Sequence, residues 1–143
     1  MTSQLNVDTI VDKAGSGGTN VKIGNTSTYV SDGGSVTQNT VQGLAKSWVN
    51  FDGTGTIAAR DSLNVGSLTD NGTGDYTVNF SSAFDAADYA PNVSTGITSG
   101  SADVRIFSSG IASGSIRIQA TNGSQASVQD NNIVTCASHG DLA

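Results

Sequence analysis

Residues 47–80, SWVNFDGTGTIAARDSLNVGSLTDNGTGDYTVNF, decide the fold of this chain. Near their end, residues 70–75 (DNGTGD) combine types that tolerate positive φ or hydrogen-bond their own backbone, which is turn chemistry. After this turn, Tyr76, Val78 and Phe80 alternate strictly with polar residues, as in a half-buried strand. Because apolar residues also precede the turn, the stretch predicts a β-hairpin whose apolar face carries Tyr76, Val78 and Phe80.

Strand-sized runs separated by Gly, Ser and Asn continue from this hairpin to the C-terminus. The candidate strands are 49–51, 56–59, 63–68, 76–80, 93–97, 102–107, 114–120 and 127–136. Short runs with such turns predict an all-β head domain over 51–143, built as an antiparallel β-sandwich or barrel. Residues 81–89, which precede Pro91, are compatible with either a loop or one helical turn.

The N-terminal residues, 1–36, predict small strands with little core of their own. Leu5 and Val7 alternate with polar residues as far as Val11, and Ile10 is the exception on the other face. Glycine-rich segments then interrupt the pattern. We therefore expect this part of the chain to need a partner surface for stability.

Residues 37–50 carry the one visible stripe of helical period. Val41, Leu44, Ala45 and Trp48 fall at i, i+3, i+4 and i+7, which predicts a short helix. A helix of about two turns does not stand alone in water. Its apolar stripe would pack either on the β domain or against copies of itself about a three-fold axis, as the neck of a trimer.

The low charge of the chain indicates a protein that is stabilised by assembly. Of its 143 residues, 13% are charged and 6% are aromatic, so hydroxyls and amides must cover much of its surface. This composition is unlike that of an ordinary cytosolic enzyme and suits extracellular or virion β proteins. The net charge of −6, with six scattered Lys and Arg, disfavours nucleic acid as a partner.

Membrane spans and targeting signals are not evident in the sequence. No apolar run is long enough to cross a membrane, and the first residues, MTSQLN, lack the basic and apolar regions of a signal peptide. We therefore expect synthesis and assembly in a cytosol, without membrane insertion. The single cysteine, Cys136, excludes an intrachain disulfide framework.

Catalytic and metal-binding chemistry would depend on the single histidine, His139. With Cys136 it forms a Cys-x-x-His pair, but a closed zinc site needs four ligands and the chain has no further Cys or His. Three copies of His139 around a symmetry axis could still share one ion, although a solvated histidine is the ordinary case. A Ser or Cys nucleophile would need a base, and His139 is the only histidine in the sequence that could serve as one.

A carboxylate pair for glycoside cleavage is not excluded by the sequence. The candidate residues are Asp61, Asp70, Asp75, Asp85 and Asp88. The chain contains no glutamate, however, and aspartates in turns are usually turn formers. We therefore predict a protein that is not an enzyme and has no catalytic residues, cofactor or metal.

A glycan-binding surface would need exposed aromatic side chains, and the chain has few of them. Trp48, Tyr76 and Phe107 lie on apparently apolar faces, which favours positions in the core. Tyr89, beside Pro91, is the aromatic residue least committed to a core. The sequence alone therefore identifies no glycan site.

Residues 47–80 resemble a module that recurs in tail-fibre and other virion proteins of tailed bacteriophages, especially those of marine bacteria and cyanobacteria. The resemblance rests on 48–56 (WVNFDGTGT), 60–65 (RDSLNV) and 70–80 (DNGTGDYTVNF). It extends to 4–12 (QLNVDTIVD), since similar virion proteins often begin with such a segment, and it fades beyond residue 80.

This resemblance implies a homotrimeric fibre or adhesin that is assembled in the host cytoplasm and located on the virion. Its attachment residues, which would bind other virion proteins, are Leu5, Val7 and Ile10, and its oligomer neck residues are Val41, Leu44 and Trp48. The β domain would recognise a glycan or a protein of the host surface. An alternative is a capsid decoration or head-fibre protein with a mechanical role, for which the ligand is the capsid lattice.

Overall fold

A computed structural model of the chain describes residues 28–30, 37–40, 43–124 and 127–142. These residues belong to two compact units, one within 1–41 and one within 42–143. Their strands are β1 (Thr28–Val30), β2 (Thr37–Asn39), β3 (Ser47–Asp52), β4 (Ala58–Leu63), β5 (Val65–Gly72), β6 (Asp75–Phe80), β7 (Ala90–Gly96), β8 (Ala102–Ala112), β9 (Ser115–Asn122) and β10 (Ile133–His139). The described residues contain no helix, and the all-β prediction is confirmed.

The first unit contributes one small antiparallel hairpin to the description. Strand β1 pairs with β2, so that Thr28 lies opposite Asn39. The predicted attachment residues Leu5, Val7 and Ile10 lie outside the described residues, and their role stays a prediction.

The second unit consists of two four-stranded antiparallel sheets in a sandwich-like arrangement. The first sheet has the order β4-β3-β10-β7, and the second has the order β5-β6-β9-β8. The hairpin predicted around 70–75 is confirmed, because β5 and β6 pair on either side of this turn and Gly72 lies opposite Asp75. The unit begins before residue 51, since β3 is a central strand of the first sheet.

The core lies between the two sheets and follows from strict alternation along their central strands. In β3, Ser47, Val49 and Phe51 are buried while the residues between them are only half-buried. The apolar side chains that the central strands bury are Val49, Phe51, Tyr76, Val78, Ile116, Ile118, Ala120, Val134 and Cys136. Phe51 of the first sheet meets Tyr76 of the second edge-on, with ring centroids 5.2 Å apart. Each large apolar side chain buried in this way contributes about 1.5–3 kcal/mol of transfer free energy.

The helix predicted over 37–50 is wrong for the residues described. Strands β2 and β3 occupy its two ends, and residues 43–46 between them form no helix. A two-turn helix gains few hydrogen bonds of its own, whereas β3 pairs with β10 on one side and β4 on the other. Leu44 is 59% exposed in the segment before β3, and Val41 lies outside the described residues.

Every edge strand of the two sheets carries an irregularity. The pairing of β4, β5 and β8 with their neighbours shifts register, and β7 contains Pro91, which has no backbone N–H to donate. The central pairs, β3 with β10 and β6 with β9, have no such shift. Interrupted edges do not offer a continuous row of donors and acceptors to another chain, so association through a sheet face is favoured over association through an edge.

Candidate functional site

The sandwich has two ends that differ in their connection to the rest of the chain. The chain reaches β3 at Ser47, and β10 ends at His139 beside it, because Ser47 lies opposite Ser138. We call this the proximal end, formed by 46–47, 64, 81–89, 113–114 and 139–142. The opposite, distal end is formed by 53–57, 73–74, 97–101, 123–124 and 127–132. The distal connections therefore face away from the point at which the chain enters the sandwich.

Glycines in the left-handed region of φ shape the turns of the distal end. The described glycines with positive φ are Gly55 (65°), Gly72 (129°), Gly74 (65°) and Gly100 (104°). A Cβ atom at Gly55, Gly72 or Gly100 would meet nothing within 4 Å, so these three serve the turn conformation alone. The distal turns are therefore tight and project little side-chain bulk.

Hydroxyls, one amide and exposed backbone make up most of the surface of the distal turns. The exposed residues of this end and of the adjoining end of β5 are Thr54, Gly55, Thr56, Asn71, Gly72, Thr73, Thr98, Ser99, Gly100, Ser101, Gly123, Ser124, Ser127 and Val128, of which Val128 is apolar. The polar groups donate and accept hydrogen bonds without carrying charge. The distal end is thus suited to many weak polar contacts with a partner surface.

A buried polar network, which we call the distal latch, supports these turns from below. The Tyr76 hydroxyl donates to Asp130 Oδ1 at 2.8 Å and also lies 3.0 Å from the carbonyl oxygen of Gly53. The backbone N–H of Gly74 donates to the same Asp130 oxygen at 2.7 Å. Burial, and then the neighbouring Asp130 carboxylate, raise the pKa of Tyr76 well above its ordinary value. The latch joins the ends of β3, β6 and the segment before β10.

Asn131 extends the latch into the first sheet. Its side chain is fully buried, donating from Nδ2 to Thr95 Oγ1 at 2.9 Å and accepting at Oδ1 from Gln129 Nε2 at 2.8 Å. Its backbone carbonyl accepts the N–H of Gly53 at 3.0 Å. Because buried amides are costly without partners, these bonds fix the segment 127–132 in one conformation.

Aromatic rings fill the proximal end. Phe84 and Tyr89 stack with centroids 4.2 Å apart, and Phe80 meets both of them edge-on. The Tyr89 hydroxyl donates to the carbonyl oxygen of Ser115 at 3.0 Å, and burial raises the pKa of Tyr89 to about 12. Residues 81–89 form a loop without helix, which settles the alternative left open by the sequence.

An acidic pocket of about 390 Å³ opens beside these rings. Its lining residues are Asp85, Ala86, Asp88, Tyr89, His139, Gly140 and Asp141. His139 is exposed there, and no group of three or more potential ligands among the described residues has an arrangement that could hold a metal ion. Of the predicted carboxylate candidates, Asp85 and Asp88 share this pocket. Asp61, Asp70 and Asp75 lie on strands instead.

The outer face of the second sheet carries a cluster of planar polar side chains around one aromatic ring. Arg117 donates from Nε and Nη2 to the two carboxylate oxygens of Asp75 at 2.8 and 2.6 Å, and its Cζ lies 5.0 Å from the centroid of Phe107. Next to it, Arg105 donates from Nε and Nη2 to Gln119 Oε1 at 2.9 and 2.6 Å. We call these five residues the arginine cluster.

The outer face of the first sheet carries an apolar row instead. Trp48 on β3 lies opposite Leu63 on β4 and Ala137 on β10, so the three side chains share one face. Leu63 is 48% exposed, and Trp48 and Ala137 are half-buried. Of the predicted neck residues that the structure describes, Trp48 is therefore in a position shared with other apolar side chains, and it reaches that position on a strand.

The aromatic residues are distributed differently from their predicted positions. Tyr76 is in the core, as expected, but Tyr89 is also buried, so the prediction that it is the least committed to the core is wrong. Trp48 and Phe107 are half-buried on the outer faces of the two sheets, although their sequence neighbours favoured the core. Alternation along a strand shows which side chains share a face of the sheet, but it does not show which of the two faces packs against the rest of the protein.

Comparison of the chain with protein-family models, with curated proteins and with solved structures found no match. Separately, no helix among the described residues is long and apolar enough to cross a membrane. Function is therefore inferred from the amino-acid sequence and from the arrangement of side chains in the second unit.

Proposed function

We propose that the protein is a non-enzymatic virion component of a tailed bacteriophage, a small fibre or adhesin. Its N-terminal segment attaches it to the particle, and the sandwich presents its distal end to the host surface. The sequence resemblance over 47–80 supports the class of protein, and the geometry of the sandwich supports the direction in which it points.

The observation that carries this proposal is the separation of the two ends. The chain reaches the sandwich at Ser47, whereas the turns rich in hydroxyls and glycine lie at the opposite end of every strand. A domain tethered at Ser47 exposes these turns outward and keeps its attachment behind it. An adhesin attached by its N-terminus requires this polarity.

Recognition in this proposal results from many weak contacts rather than from one deep pocket. Because the distal latch holds the turns in place, little conformational entropy is lost when they bind a surface. Several copies on one particle then multiply the weak contacts through their effective concentration.

We further propose that the copies associate as a homotrimer through the apolar row of Trp48, Leu63 and Ala137. Leu63 is 48% exposed in the isolated chain, and burial of this row would remove apolar surface from water. The irregular edge strands favour a contact through this face. Leu63→Asp should lower the mass of the assembly in sedimentation, because a carboxylate would be buried without a partner.

Val128→Asp is the matched control for the assembly test, since Val128 is also an aliphatic residue and is 42% exposed away from the row. It should leave the mass unchanged. Equal masses for the wild-type protein and Leu63→Asp would count against assembly through the apolar row, and a monomeric wild-type protein would count against the trimer.

The apolar row also supports a second candidate, a capsid decoration or head-fibre protein whose sheet face packs on the capsid lattice. Cryo-electron microscopy of virions of the encoding phage separates the two candidates. Density at the tail, together with inhibition of adsorption by the soluble protein, is expected for the adhesin. Density repeated across the head would favour decoration, and its absence from the particle would contradict both.

A further inference from the structure

The arginine cluster of Asp75, Arg105, Phe107, Arg117 and Gln119 contains a guanidinium group that forms no ion pair with another described residue. The ion pairs among the described residues are Arg60 with Asp52 and Arg117 with Asp75. Arg105 instead donates both of its hydrogen bonds to the neutral amide oxygen of Gln119. Its positive charge therefore remains available to a partner outside the chain.

The nearby carboxylate of Asp103 does not compensate this charge. Asp103 lies two residues before Arg105 on β8, and its Oδ1 accepts the backbone N–H of Val104 at 2.8 Å. The described ion pairs do not include Asp103 with Arg105. Arg105 is thus exposed with two of the five N–H donors of a guanidinium occupied and three left over.

The bonds to Gln119 fix the direction of the remaining donors. Because Nε and Nη2 of Arg105 both point at one oxygen of Gln119, the donors left over are the two of Nη1 and the second of Nη2. A planar, oriented fork of this kind matches the two oxygens of a carboxylate. The site is preorganised, so binding does not need to order the arginine side chain.

Phe107 places an aromatic ring close to Arg105 along the strand. It lies two residues after Arg105 on β8, and its half-buried ring is covered on one side by Arg117. Bidentate bonds to Asp75 hold Arg117 in that position. An apolar ring beside oriented polar groups is able to contact the C–H surface of a sugar while those groups bind its substituents.

The cluster lies at the edge of the distal end. Gln119 is opposite both Arg105 and Asp75, and Asp75 follows directly after the distal turn at 73–74. Asn71 of that turn donates from Nδ2 to Asp75 Oδ1 at 3.3 Å, which connects the turn to the cluster. A ligand held at Arg105 would thus lie beside the surface that we propose to face the host.

We propose that the arginine cluster binds a saccharide that carries a carboxylate, with Arg105 as the anchor for the carboxylate and Phe107 as the platform for the ring. The proposal rests on the proposed adhesin function and names the chemistry of its partner. It assigns specificity to one charged group beside distal turns whose exposed residues carry no charge.

The test is a ligand-observed saturation-transfer NMR titration of the full chain with trigalacturonate. The neutral methyl ester of the same trisaccharide and inorganic phosphate are the comparison ligands. We expect trigalacturonate to bind in the millimolar range, and we expect the ester and phosphate to bind at least about tenfold more weakly, since each lacks one of the two contacts. Equal binding of the ester or of phosphate, or no binding of trigalacturonate, would overturn the proposal.

Variants separate the oriented fork from general electrostatics. Arg105→Gln should weaken trigalacturonate binding at least about tenfold, and Arg105→Lys, which keeps the charge but not the fork, should also weaken it. Lys46→Gln makes the same change in net charge at the proximal end and should have little effect. Circular dichroism verifies that each variant is folded. Equal losses in Arg105→Gln and Lys46→Gln would contradict a specific site.

Failure of this site is distinguishable from failure of the adhesin function. If soluble wild-type protein blocks phage adsorption and Arg105→Gln blocks it equally well, the adhesin function stands and the saccharide site is wrong. If trigalacturonate binds through Arg105 but the protein is absent from the virion, the site stands and the adhesin function is wrong.

Discussion

The two ends of the sandwich enclose similar buried tyrosines in different surroundings. At the distal end, Tyr76 donates to a carboxylate, and that carboxylate also holds the backbone of Gly74. At the proximal end, Tyr89 stacks on Phe84 and donates to one backbone carbonyl. The distal end is therefore held by a side-chain network around a carboxylate, whereas the proximal end combines stacked rings with hydrogen bonds to the backbone of its loop.

This difference fits the roles proposed above for the two ends. Directed bonds fix the positions of turns that carry little apolar surface and would otherwise be mobile. Stacked rings stabilise a longer loop, 81–89, together with hydrogen bonds from the backbone N–H groups of Ser81, Phe84 and Asp85. An end that presents the same polar groups in every copy benefits from directed bonds that fix their positions. An end that only closes the sandwich can use packed rings.

The largest effect is expected from a substitution that breaks the distal latch. A Cβ atom at Gly74 would lie 2.4 Å from the carbonyl oxygen of Ala120 and 2.8 Å from that of Gln129. Gly74→Ala should therefore lower the free energy of unfolding by about 3 kcal/mol, combining the backbone strain of positive φ with displacement of the latch. Urea unfolding followed by circular dichroism measures this change.

Gly55→Ala is a matched control for the latch variant, because Gly55 has the same φ of 65° but open space at the Cβ position. It should cost about 1 kcal/mol, from backbone strain alone. Equal destabilisation by the two variants would mean that close packing at Gly74 contributes nothing.

Smaller effects are expected when the hydroxyl group of either buried tyrosine is removed. Tyr76→Phe removes a donor to a charged acceptor and should destabilise by about 2 kcal/mol, whereas Tyr89→Phe removes a bond to a neutral carbonyl and should cost about 1 kcal/mol. Both changes keep the ring in place, so thermal or urea unfolding isolates the hydroxyl groups. If Tyr89→Phe proved the more costly, the proposed contrast between the ends would be reversed.

The smallest effect per residue is expected from alkaline pH. Both tyrosines have a pKa raised above the ordinary value of 10.0, so the unfolded chain loses these protons first. Stability should therefore fall as the pH rises, by about 1 kcal/mol for each tyrosine between about pH 10 and pH 11. Each Tyr→Phe variant should remove about 1 kcal/mol from this fall in the free energy of unfolding. If the fall stayed the same in a variant, the replaced hydroxyl would have the same pKa in the folded and unfolded chain.

Local chemistry made part of the fold predictable. The turn at 70–75 and the alternation of Tyr76, Val78 and Phe80 specify a hairpin from neighbouring residues alone. The stripe at 37–50 gave a wrong prediction for the described residues because Trp48 is compatible with two patterns. It lies at helical spacing from Val41 and Leu44, and it also belongs to the strand-type alternation of residues 47–52. Pairing with β10, distant in sequence, decides between them.

The candidate site depended on contacts that a single sequence does not reveal. Tyr76 and Asp130 are 54 residues apart, so the latch has no local signal. Arg105, Phe107, Arg117 and Gln119 were recognisable only as residues at alternate positions of strands. Their meeting on one face required the register of β8 with β9. His139 was identified as the single histidine, but its neighbours Asp85 and Asp88 come from the separate loop 81–89.

The irregular edge strands have a consequence for the behaviour of the protein at high concentration. The net charge of −6 makes the molecules repel one another in solution. Repulsion alone does not block the growth of fibrils by pairing of chains at exposed strand edges. Register shifts in β4, β5 and β8 and the proline in β7 remove the template for such growth. The geometry of its borders should thus add to its charge in keeping the domain from forming fibrils at high concentration.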